Sequence, residues 1–83
     1  MLDPTQLNDI MDDNEIIPAR CVPLVVGKHK DFYKNWANMK REPLLTTKVF
    51  GLQMTTVTEA NRILKSLNLT DKPFALEDFR AVQ

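Results

Sequence analysis

Cysteine, histidine and glycine are scarce in this chain, and each scarcity removes a class of chemistry. Cys21 is the only cysteine, so no intramolecular disulfide can form and a reducing compartment is the expected setting. His29 is the only histidine; it cannot complete a zinc site with Cys21, and between Lys28 and Lys30 it has no nucleophile to serve. Gly27 and Gly51 stand alone, whereas a phosphate-cradling loop needs several glycines at fixed offsets before a helix. The pair Asp12 and Asp13 lacks the regular oxygen spacing and turn glycine of an EF-hand. Long apolar runs are missing too. No stretch approaches the roughly 20 residues needed to span a bilayer, and the start has neither the basic region nor the apolar segment of a signal peptide. The expectation is therefore a cytoplasmic protein with no membrane association, no catalytic constellation, no cofactor and no metal.

What remains is an ordinary globular composition, 43% hydrophobic and 27% charged, too apolar and too balanced for a disordered chain. The 83 residues make a single domain, 1–83, whose small core leaves room for a second copy or an obligate partner to add stability. Net charge is zero, but the charges are sorted. Asp3, Asp9, Asp12, Asp13 and Glu15 occupy the first 15 residues without a Lys or Arg, while Arg20, Lys28, Lys30, Lys34, Lys40 and Arg41 follow against Asp31. The two segments either neutralise each other across the fold, stand as solvated faces, or meet charged partners.

Periodicity predicts a mainly α domain of four to five short helices. Asp3, Pro4 and Gln6 signal a helix over 4–11 with Leu7, Ile10 and Met11 on its apolar face. Pro18 and Pro23 disfavour helix over 16–26, leaving extended chain with at most one short strand at 24–26. Phe32, Tyr33, Trp36 and Met39 form one stripe of a helix over 30–40. Pro43 can open the next helix, over 43–50, with Leu45, Val49 and Leu52 aligned and Gly51 as its left-handed cap. Thr56 and Glu59 make a reciprocal capping box for a helix over 57–67, with Val57, Ala60, Ile63, Leu64 and Leu67 on one face and Asn68 as cap. Phe74, Leu76, Phe79 and Val82 fit a last helix slightly better than a strand.

Helix, glycine turn and capped helix together outline a helix-turn-helix over 44–69. Its residues Phe50-Gly51-Leu52 and Glu59-Ala60-Asn61-Arg62-Ile63-Leu64-Lys65-Ser66-Leu67-Asn68-Leu69 resemble a segment near the C-termini of phage antirepressors, with Asn68 in place of the usual glycine. The resemblance covers residues 46–69 and implies a phage or prophage regulator that binds a repressor instead of an operator.

Two functions follow. As a protein binder, the chain would present Asp9, Asp12, Asp13 and Glu15 to the basic surface of a DNA-binding repressor, with Phe32, Tyr33 and Trp36 as apolar anchors. As a transcriptional regulator, it would read DNA with the helix 57–67, directing Thr55, Thr58, Asn61, Arg62 and Lys65 to the groove. Charge favours the first, because Arg62 and Lys65 are the only cations of that helix and five acids at the head repel phosphate. The aromatic stripe also fits two other roles, plain core and a stacking platform for bases.

Overall fold

A computed structural model of the chain describes residues 15–83. The chain order is β1 (Ile16–Pro18), α1 (Cys21–Val25), α2 (Phe32–Ala37), β2 (Thr47–Val49), β3 (Leu52–Thr56), α3 (Val57–Ser66) and α4 (Leu76–Ala81). Of the described residues about 39% are helical and 16% lie in strands, so they form a small mixed α/β unit and the mainly α expectation is overturned. The helix expected over 4–11 lies outside the described residues.

The largest correction falls on 43–50, where a helix was expected and a hairpin forms. Thr47 pairs with Met54, Lys48 with Gln53 and Val49 with Leu52, and Phe50 and Gly51 make the connection. Both turn residues have positive φ, +48 at Phe50 and +83 at Gly51, as a type I′ turn requires for its twist to match the strands. Thr46, Thr47 and Val49 are β-branched, and their stiff side chains suit the pleated surface better than a helix. Gly51 therefore takes the left-handed conformation expected of it, inside a hairpin instead of after a helix. The helix-turn-helix pair expected over 44–69 does not form.

β3 is the central strand, with β1 antiparallel on its other side, Ile16 opposite Thr56 and Pro18 opposite Met54. The strand expected over 24–26 is displaced to Ile16–Pro18, where Pro18 ends an edge strand and its missing amide costs the ladder little. Residues 21–25 are helical despite Pro23, because Pro23 falls in the first turn of α1, whose amides have no acceptor within the helix in any case.

α2 is shorter than its stripe. Asn38 closes it through its side-chain amide, which donates to the Lys34 carbonyl at 2.8 Å, and Met39 lies beyond. α3 follows β3 with no intervening residue. Thr56, extended at φ −110 and ψ 159, accepts from the Glu59 amide at 3.1 Å. Only this half of the expected capping box forms, since the Glu59 carboxylate turns elsewhere. At the far end Asn68, at φ +59, lets the Leu69 amide reach the Leu64 carbonyl at 2.9 Å and the Asn68 amide reach Lys65 at 3.0 Å. The final apolar set forms α4, started by Asp78, whose carboxylate accepts from the Ala75 amide at 2.9 Å.

One core joins these elements. Ile17 of β1, Cys21 and Val22 of α1, Trp36 of α2, Ala60, Ile63 and Leu64 of α3 and Phe79 of α4 are buried together with Leu44. Phe74 meets Phe79 edge to face at a centroid distance of 5.9 Å. Among the described residues no helix is long and apolar enough to cross a membrane.

Candidate interaction surface

The polar residues that a duplex reader would extend lie at the end of β3 and along α3, and the fold turns most of them inward. Thr55 is fully buried and donates to the Leu45 carbonyl at 2.8 Å. Asn61 grips the chain before α4 with both ends of its amide: Nδ2 donates to the Phe74 carbonyl at 2.9 Å and Oδ1 accepts from the Phe74 amide at 2.8 Å. Arg62 makes a forked pair with Glu59, Nε to Oε1 at 2.7 Å and Nη2 to Oε2 at 2.8 Å, and Nη2 also reaches the Pro43 carbonyl at 2.8 Å. Glu59 is 4% exposed, and its Oε2 also accepts from the Leu45 amide at 2.7 Å. The side-chain hydrogen bond from Arg62 to Glu59 raises the Arg62 pKa above its ordinary value, against a smaller opposing effect of burial. The Glu59 and Arg62 pair thus ties the 42–45 segment to α3. Thr58 and Lys65 are exposed on the same helix.

The aromatic stripe is divided among three environments. Trp36 is 7% exposed and belongs to the core, its carbonyl accepting from the Leu44 amide at 2.9 Å. Phe32 is 38% exposed, with its centroid 6.3 Å from that of Trp36 and the Lys28 ammonium 5.3 Å from its own. Tyr33 is half-buried and lines a groove. Of the acidic head, Glu15 is exposed and its carbonyl accepts from the Val57 amide at 3.0 Å. Asp9, Asp12 and Asp13 lie outside the described residues.

The groove was not anticipated from the sequence. It has a volume of about 280 Å³ and runs between the first turn of α2 and the hairpin, lined by Arg20, Lys30, Asp31, Tyr33, Lys34 and Leu52 among others. Lys34 lies 3.8 Å from Asp31, and both are exposed, so this pair adds little. Arg20 and Lys30 make no ion pair among the described residues. Beside the groove stands Phe50, 100% exposed, with Gly51 and Leu52 after it in the wall. Leu52 is itself 52% exposed. One signal was available: a single X-Gly dipeptide separates Thr46-Thr47-Lys48-Val49 from Leu52-Gln53-Met54-Thr55-Thr56, which is hairpin spacing.

A second recess of about 250 Å³ lies between α3 and the loop before α4, with Lys65, Asp71 and Lys72 at its wall. No group of three or more His, Cys, Asp or Glu side chains among the described residues could hold a metal ion. Cys21 is fully buried, and burial pushes its thiol pKa up, opposed in part by Arg20.

Comparison with known proteins finds no family model, curated protein or solved structure that matches this chain.

Proposed function

We propose that the chain is a non-enzymatic regulatory module that works by binding another protein, through the surface made by the hairpin and α2. The observation supporting this is Phe50, an aromatic ring wholly in water on a backbone conformation that disfavours its side chain. Local physics would place Asn, Asp or Gly there. A residue that violates both turn preference and burial is a mark of a functional position, and aromatic residues are enriched among interface hot spots. The duplex-reading alternative loses support, because Thr55, Asn61 and Arg62 are held by partners inside the domain.

The narrower form of the proposal is a phage-type antirepressor that sequesters a basic repressor. In it the acidic head supplies charge, Phe32 and Tyr33 supply apolar contact, and Trp36 serves the core. Titrating the full chain into random and candidate duplexes at about 50 and about 200 mM salt tests the protein-binding reading. Weak binding that vanishes at the higher salt is expected, together with a partner captured from the host and reconstituted as a stoichiometric complex from purified proteins. Nanomolar, salt-resistant binding to one duplex would overturn it.

A further inference from the structure

The described body is cationic. Residues 15–83 hold eleven Lys and Arg against seven Asp and Glu, a net +4, while the four acids that balance the whole chain precede residue 15. Around the groove this bias is local: Arg20, Lys30 and Lys34 stand against Asp31 alone, and Lys28 lies over Phe32 just before them. Phe50 and Leu52 add the two most exposed large apolar side chains of the described residues to the same end of the hairpin.

We propose that this groove and the Phe50 tip bind an acidic peptide segment of a partner protein, one that carries an apolar residue between carboxylates. The proposal rests on the protein-binding reading but not on its antirepressor form. Arg20 offers a planar fork matched to a carboxylate, and Lys30 offers a second charge, neither engaged in an ion pair among the described residues. Phe50 and Leu52 supply the apolar contact that gives such a complex its lifetime, since rim charges act mainly on the rate of encounter.

A single-stranded nucleic acid fits the same surface less well. Successive bases need successive exposed rings, and here Tyr33 is half-buried, Trp36 is in the core and Phe32 is 38% exposed with Lys28 over its face, leaving Phe50 as the wholly exposed one. The Asp31 carboxylate inside the groove also repels phosphate oxygens arriving in series. A peptide needs only one or two carboxylates placed against Arg20 and Lys30, which leaves Asp31 outside the contact.

Fluorescence anisotropy on the full chain tests this with three labelled probes: a short peptide of alternating Glu and Leu, its Lys and Leu counterpart, and oligo-dT. The Glu peptide is expected to bind at least about tenfold more tightly than the Lys peptide, with a Kd that rises with salt. Phe50→Asn should weaken the Glu peptide about tenfold without lowering the Tm, because Asn suits a left-handed turn better than Phe. Lys30→Glu, at an exposed position, should weaken it as well. Equal affinity for the two peptides, or an unchanged Kd in Phe50→Asn, overturns the groove proposal and leaves the protein-binding reading standing. Tighter binding of oligo-dT than of the Glu peptide overturns both. Sedimentation that shifts from dimer to monomer in Phe50→Asn, with no peptide binding in either protein, would assign the surface to a second copy instead.

Discussion

Glu59 shows how one side chain can decide what a helix is available for. Its carboxylate is buried, so it needs compensation, and the Arg62 fork and the Leu45 amide provide it. Arg62 thereby becomes a structural residue. Replacing it leaves a buried carboxylate with one amide partner, and that asymmetry is what makes broken pairs costly. Arg62→Ala should lower unfolding free energy by about 2 kcal/mol in urea titration, less than for a fully enclosed pair because Arg62 is itself partly exposed and water can enter. Glu59→Gln, which keeps an acceptor for the Leu45 amide, should cost less. An Arg62→Ala protein of unchanged midpoint would mean that the Leu44 and Leu45 hydrogen bonds and apolar packing hold the 42–45 segment without the ion pair.

At the scale of elements, α3 was legible in the sequence because period and punctuation agree: Val57, Ala60, Ile63 and Leu64 mark one face, Thr56 starts it and Asn68 stops it. The hairpin was not, because Leu45, Val49 and Leu52 satisfy a helical period over so short a run, and Gly51 serves equally as a helix cap or a turn residue. Three-residue strands give alternation too few positions to declare itself. Pro23 misled for a different reason, since a proline breaks a helix only past its first turn. The groove was hidden for a third: Arg20, Lys30 and Leu52 are far apart in sequence and meet only because β3 carries the hairpin back across the domain. The turn can be tested directly. A Cβ on Gly51 would meet nothing within 4 Å, so the cost of Gly51→Ala is conformational only, about 1 kcal/mol, visible as a lower urea midpoint with unchanged helical circular dichroism.

Across the whole molecule, one modest core must hold sheet and helices together, and Cys21 lies inside it. Its thiol is neutral in the fold, with its pKa raised by burial. The unfolded chain releases that proton near the ordinary thiol value, about 8.5, so this contribution to stability is fully present below that pH and is lost as pH rises through it toward the raised folded value. Urea stability of the native protein minus that of Cys21→Ala should therefore be flat from about pH 6 to 8 and fall above about pH 9. A thiol reagent should meanwhile react with Cys21 only as the domain opens. A flat difference throughout would mean that Cys21 meets solvent in the native state.

β3 passes into α3 at Thr56 and Val57 with no residue between them. A loop would leave slack between the two; here the last residue of the strand is also the cap of the helix, through the Thr56 hydroxyl that receives the Glu59 amide. Adding one residue at that junction would turn the helix by about 100° and swing Glu59 away from the Leu45 amide, so the clasp on the 42–45 segment depends on the strand handing over to the helix at Thr56.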